Sequence, residues 1–279
     1  MHRRRFALLL SLLVVTMTAN AATNETDSFG ITKLHLTVNG GREWFAQWQA
    51  KRAIPSYEMD PKDAVCRNEE GILKIQDGTA TAPAGMTRVV VLTPTNQAGQ
   101  ATLTPWRNVE MTVYARRGAS KQTLDYQAFY LSARSGERHD ESVACDGTSY
   151  HATWRFDGQC GFKKEIWHTG GYTQLAPTPT PHPWKTVPRD QWIGLKFVCR
   201  NVNHEKNVRL EMYLDLNEHN EWKLISEYTD TGGWLGERDG CDRPRDYIIT
   251  EARPAVYFRT DQVDVELKKF SVREIAPLP

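Results

Sequence analysis

The chain has 279 residues, with 35 Lys+Arg against 34 Asp+Glu and a formal net charge of +1. It is long enough for one large domain with a substantial core, and its near-neutral balance excludes a nucleic-acid binder driven by a basic excess. Past residue 15 no apolar run is long enough to span a bilayer as a helix.

Residues 2–5 (HRRR) form a basic region, and residues 6–15 (FALLLSLLVV) an apolar stretch too short to span a membrane. Ala19-Asn20-Ala21 follows as a small-x-small cleavage site. Together they predict a signal peptide, 1–21, removed after Ala21 to give a secreted or periplasmic protein. Its removal takes away Arg3, Arg4 and Arg5, so Lys+Arg falls from 35 to 32 against 34 acids, a charge of −2. Residues 22–28 (ATNETDS) read as a disordered leader, and 29–279 as a single domain with no break in composition.

Strands are predicted at 31–38, 72–76, 88–93, 107–117, 126–134, 148–157, 161–168, 192–200, 207–215, 221–228, 246–250, 255–260 and 263–275. The clearest is the run from Trp106 to Arg117. Val109, Met111 and Val113 point one way, and Glu110, Thr112, Tyr114 and Arg116 the other. Strict alternation marks a strand buried on one side. Turns at Asp77-Gly78, Asp157-Gly158, Gly170-Gly171, Gly232-Gly233 and Asp239-Gly240 separate the segments. No long helical periodicity appears. The expected fold is all-β, an antiparallel sandwich of jelly-roll type. Pro177–Pro183 (PTPTPHP) reads as a stiff loop at its rim.

Five cysteines remain: Cys66, Cys145, Cys160, Cys199 and Cys241. Disulfides are expected in an exported chain. Cys145 and Cys160 flank one strand and are the expected local pair. Cys199 and Cys241 could close a second loop. The odd count leaves at least one thiol free or paired elsewhere. No zinc spacing occurs, and Asp215-Leu-Asn-Glu-His-Asn220 reads as a polar turn rather than a calcium loop. No cofactor and no metal are expected.

The hairpin Gly147–His168 (GTSYHATWRFDGQCGFKKEIWH) is followed by Trp192–Arg200 (WIGLKFVCR), Val208–Asp215 (VRLEMYLD) and a closing segment, Ala255–Ile275 (AVYFRTDQVDVELKKFSVREI). This order resembles the concanavalin A-like jelly roll of secreted lectins, glucanases and alginate-lyase-like polysaccharide lyases, over about Phe29 to Ile275. The glucanase strand E-x-D-x-x-E is absent. Tyr150-His151 is similar in place to the lyase strand Q-[IV]-H without its Gln, and Tyr257-Phe258-Arg259 is similar to the start of the lyase Y-F-K strand. The resemblance implies a carbohydrate ligand; function does not follow from the fold.

The non-core faces of the predicted strands carry the candidate site. His151, Thr153 and Arg155 share one face, as do Lys163 with Glu165, Tyr130 with Arg134, Lys196 with Arg200, and Tyr257 with Arg259. If the strands adjoin, they line a cationic, aromatic groove suited to an acidic polysaccharide. Cleavage by β-elimination needs a cation to neutralise the uronate carboxylate, a base for the C5 proton and an acid for the leaving oxygen. His151, Tyr257 and Arg134 are the expected catalytic set. Arg116, Tyr114, Tyr130, Arg155, Lys163, Glu165, Lys196 and Arg259 are the expected substrate contacts, with loop residues Trp184 and Trp234 stacking on sugar rings. His168 is a weaker candidate base, since its ring could cap the hairpin before Gly170. The alternative is a non-catalytic carbohydrate-binding protein using the same groove. The expected partner is an acidic polysaccharide or oligosaccharide bound by a monomer, with no nucleic acid and no membrane span.

Overall fold

The computed structural model describes residues 25–94, 102–120, 127–136 and 142–279. The expected signal peptide and its cleavage point lie outside them. No helix occurs among the described residues, and so none long and apolar enough to cross a membrane. The strands are β1 (Glu43–Phe45), β2 (Arg52–Ile54), β3 (Met59–Asp60), β4 (Asp63–Asn68), β5 (Leu73–Gln76), β6 (Thr79–Leu92), β7 (Val109–Ser120), β8 (Ala128–Ser135), β9 (Ser149–Arg155), β10 (Cys160–Glu165), β11 (Trp192–Val202), β12 (Asn207–Asp215), β13 (Lys223–Asp230) and β14 (Ala255–Glu274).

Their pairings are antiparallel, in the order β10-β9-β8-β14-β7-β11-β12-β13. Strand β14 turns this ribbon into two layers. Ala255–Arg259 pairs with β8, and Val263–Glu274 pairs with β7. Between the two parts the register shifts, and Gln262 takes a φ of 60°. Such a bulge bends a strand and increases its twist. The segments expected at 255–260 and 263–275 are thus one strand, with β6 alongside most of its length.

The layers face each other as a sandwich. The rings of Phe162 (β10) and Phe197 (β11) lie 6.2 Å apart across the core. Alternation decides which residues enter it: Val109, Met111 and Val113 from β7, Phe129 and Leu131 from β8, Tyr150, Ala152 and Trp154 from β9. Burying each large apolar side chain stabilises the fold by roughly 1.5–3 kcal/mol. A polar cluster sits inside. Lys164 Nζ (β10) and Tyr150 Oη (β9) both donate to Asp230 Oδ2 (β13), each over 2.7 Å.

Residues 31–38, expected to be a strand, lie instead across the outer face of β7, β11 and β12, making only isolated bridges at Thr32 and Thr37. The Glu110 carboxylate accepts the amides of Leu34 (3.3 Å) and His35 (2.9 Å), and Lys196 Nζ donates to Thr32 O (3.0 Å). Residues 25–28, expected to be part of a disordered leader, are ordered: buried Asp27 accepts the amides of Phe29 and Ile31, both at 2.9 Å. Residues 246–250 form no strand, and β1 to β4 were not foreseen.

The disulfide joins Cys145 to Cys241, with Cα atoms 5.5 Å apart. This corrects both expected pairs. Cys160 and Cys199 share the inner faces of their strands with Phe162 and Phe197 and are fully buried. Neither can reach a partner outside the core. Cys66 is likewise buried and free.

Candidate functional site

The outer face of β8, β9, β10 and the first part of β14 floors a cleft of about 490 Å³. Tyr130, His151, Lys163, Glu165, Arg259 and Asp261 line the floor, and Tyr172 and Glu237 the wall. The inward positions of these strands hold Leu131, Ala152, Phe162 and Phe258, so alternation sends their neighbours outward.

The wall is built by a tight turn. Glu165 bridges to Tyr172, and the amides of Ile166 and Gly171 bond Gly171 O and Trp167 O. A Cβ on Gly171 would lie 2.4 Å from the Trp167 amide nitrogen and 2.5 Å from its indole, so only glycine fits. The next segment docks on this turn: Glu237 N donates to Tyr172 O, and Arg238 N to Gly170 O. The disulfide at Cys241 ties the same segment to Cys145.

His151 stands directly across from Lys163. Its Nδ1 is 2.7 Å from Ser132 Oγ; its Nε2 is 3.0 Å from Ser149 Oγ and 3.9 Å from Glu165 Oε2. Serine hydroxyls both donate and accept, so they satisfy the ring whether it is neutral or charged. Lys163 is half-buried and makes no hydrogen bond or ion pair among the described residues. Burial, and then the charge of Arg155, hold its ammonium below the usual lysine range. Arg259 is paired with Asp261 (3.1 Å) and lies 5.9 Å from the Tyr130 ring. Burial and Asp261 push the Tyr130 phenol up to about 12.

Glu165 is 2% exposed. His168 Nδ1 lies 2.9 Å from its Oε1, and Tyr172 Oη lies 2.7 Å from the same ring nitrogen. Burial and the Glu165 carboxylate raise the Tyr172 phenol above its ordinary value. The result is a connected chain of titratable groups from Tyr172 through His168 and Glu165 toward His151.

Of the residues expected from sequence, His151, Tyr130, Lys163, Glu165 and Arg259 line this cleft. Arg155 is on the same outer face, paired with Asp157 at 2.5 Å. Tyr257 lies behind His151, ring centroids 6.2 Å apart, with its hydroxyl buried and without a hydrogen-bond partner among the described residues. It does not open on the cleft.

The remaining residues are elsewhere, and these are corrections. Arg134 is 0% exposed; its guanidinium donates to the carbonyls of Arg107 and Ile249 and to Asn108, an arrangement that tethers loops. Tyr114, Arg116 and Lys196 belong to the other layer. Tyr114 Oη donates to Asp215 (2.6 Å), Lys196 is buried against Glu110 (2.8 Å), and Arg116 pairs with Glu266 beside Trp192. Trp184 and Trp234, expected to stack on sugars, are packed into the core; their indole N–H groups donate to Arg155 O (2.9 Å) and Gln174 O (3.0 Å).

Sequence reasoning missed Tyr172, Glu237 and Asp261. Tyr172 had a readable signal: the Gly170-Gly171 turn folds it back beside Glu165. Glu237 comes from a loop whose position depends on the disulfide. Among the described residues no group of three or more His, Cys, Asp or Glu side chains could hold a metal ion. Asp215 caps its own turn, accepting the amides of Asn217, His219 and Asn220.

No protein-family model and no curated protein sequence matches the chain. Among solved structures the chain is similar to a candidate glycosyl hydrolase from Parabacteroides distasonis, at 12% identity and a TM-score of 0.42, covering 80% of this chain and 88% of that one. It is similar to the exoplasmic/lumenal domain of VIP36 in its Ca²⁺-bound form, at 10% identity and TM-score 0.47, covering 83% and 92%. It is also similar to arcelin-5, a lectin-like defense protein from Phaseolus vulgaris, at 7% identity and TM-score 0.41, covering 81% and 97%. These likenesses concern the fold alone.

Proposed function

We propose that the cleft binds an acidic, uronate-containing polysaccharide and cleaves it by β-elimination. The observation that carries this reading is the cross-strand pair of Lys163 and His151. An ammonium with no partner among the described residues sits beside an imidazole held by two hydroxyls. Lys163 takes the uronate carboxylate, which stabilises the carbanion that forms at C5. His151 takes the C5 proton. The C5–H electron pair forms the C4=C5 double bond, and the C4–O4 bond breaks with its pair on oxygen. Arg259, already paired with Asp261, orients sugar hydroxyls through its outer N–H groups.

The test is a panel of polyuronates (polygalacturonate, alginate, hyaluronan) incubated with the exported protein. The expected result is the ultraviolet absorbance of a conjugated enol-uronate from one of them, lost in His151→Ala. Absence of that product from every polymer overturns the lyase reading.

A second reading is a non-catalytic carbohydrate-binding protein. One observation favours it: both ring nitrogens of His151 already have serine partners. Binding of an oligouronate without product, measured by calorimetry, is its expected signature.

A further inference from the structure

We propose that Tyr172 is the general acid of this cleft, with His168 and Glu165 holding its hydroxyl in place. The proposal rests on the lyase reading and supplies the leaving-group acid that the Lys163–His151 pair lacks.

Three tyrosines are near the site, and the geometry separates them. The Tyr257 hydroxyl is buried and does not open on the cleft. Tyr130 lies against Arg259, next to the Arg259–Asp261 pair. Tyr172 is 37% exposed on the cleft wall, and its Oη is 2.7 Å from His168 Nδ1. The His168 ring is thus a second proton carrier at hydrogen-bond distance from the Tyr172 phenol. The carrier is fixed in turn, because Glu165 Oε1 is 2.9 Å from the same nitrogen and only 2% of Glu165 is exposed. A carboxylate acceptor at 2.9 Å favours the Nδ1–H tautomer, and the same nitrogen faces the phenol oxygen, so the three groups hold one another in place. The His168 and Tyr172 rings pack edge to face, 5.9 Å apart at 72°, which limits their motion. The main chain of Tyr172 is pinned on both sides, by the bridge to Glu165 and by the amide of Glu237.

The direction of titration separates acid from base. Burial and the Glu165 charge raise the Tyr172 phenol above its ordinary value. It therefore keeps its proton through neutral and mildly alkaline pH, as a donor must and a base cannot. In the step itself, O4 leaves with the C4–O4 pair and takes the phenolic proton. The phenolate so formed sits beside Glu165, an unfavourable pairing of like charges. Water reprotonates the phenolate, which is open to the cleft, and the hydroxide so formed accepts the proton held by His151. No net proton or electron is gained.

The experiment uses the exported protein on the polyuronate it cleaves and on a synthetic uronide carrying nitrophenolate at O4, a leaving group that needs no proton. Tyr172→Phe is expected to lower kcat on the polymer by about 10²- to 10⁴-fold, with KM little changed and the nitrophenyl substrate spared. His168→Gln is expected to show the same split between substrates, which a merely structural residue does not produce. Full polymer activity in Tyr172→Phe overturns the proposal, as does an equal loss on both substrates. Wild-type protein that cleaves neither substrate overturns the lyase reading itself, an outcome visible before any variant is measured.

Discussion

Lys163 of β10 and His151 of β9 are direct cross-strand partners on the outer face of one layer. Cβ atoms so paired lie about 4.5–5.5 Å apart, so a ligand carboxylate on the ammonium lies within reach of the imidazole. The pair is possible because Ala152 and Phe162 point into the core and send their neighbours outward.

Lys163→Met is expected to weaken binding of an oligouronate by about tenfold or more, the loss of one charged hydrogen bond, and to leave neutral glucans unaffected. The ammonium must be charged to bind, and its titration is shifted downward by burial and Arg155. Affinity should therefore fall as pH rises, at a lower pH than for an ordinary lysine. Arg155→Gln removes the neighbouring positive charge and should carry that loss to higher pH. Calorimetric titration across alkaline pH checks both; an affinity independent of pH in the wild type refutes the assignment.

Removing the Cys145–Cys241 disulfide, by reduction or Cys241→Ser, is expected to cost about 2–5 kcal/mol. The bridge spans a sequence separation of 96 and anchors the segment that carries Glu237. Thermal unfolding with and without reductant measures the cost. Alkylation of native protein should spare Cys66, Cys160 and Cys199, all buried, and denaturant should expose all three.

Asp230 neutralises Lys164 inside the sandwich, where both side chains are 0% exposed. Asp230→Ala strands a buried ammonium and should destabilise by about 3–5 kcal/mol. Replacing Lys164 by Met in the same protein should recover much of that loss. If the double variant is no more stable than the single one, the pair is not the cause.

Acid stability should depend on Glu211. Burial alone raises a carboxyl, but the hydrogen bond from His35, the charge of Arg200 and the hydrogen bond from Tyr213 outweigh it and bring Glu211 down to about 2. A depressed folded value contributes stability above the unfolded value near 4.5, and that stability is lost as pH falls toward 2. Tm measured from pH 7 to 2 should fall along this range in the wild type and less steeply in Glu211→Gln. His35 and Glu211 join residues 31–38 to β12 (3.1 Å), so the covering segment should be released first.

The limits of sequence reading are visible in particular residues. Alternation in Trp106–Arg117 identified both faces of β7, yet its polar face is covered: Glu110 is buried under Leu34 and His35. Tyr114 and Lys196 therefore left the candidate site, although their strand faces were read correctly. Trp184 and Trp234 lie in loops as expected, but those loops fold over the core, where indole rings bury most area.

By itself the sequence determined the all-β class, most strand positions from β5 onward, and which residues of β8, β9 and β10 turn away from the core. These are local properties, because side chains alternate with a period of two whatever the strand packs against. The tertiary structure alone decided that Cys145 meets Cys241, that Arg134 and Tyr257 are buried, and that Tyr172 and Glu237 wall the cleft. Each depends on which layer a strand joins and what lies over its outer face. Those are set by the bulge in β14 and by long-range docking of loops, and neither leaves a periodic trace in the chain.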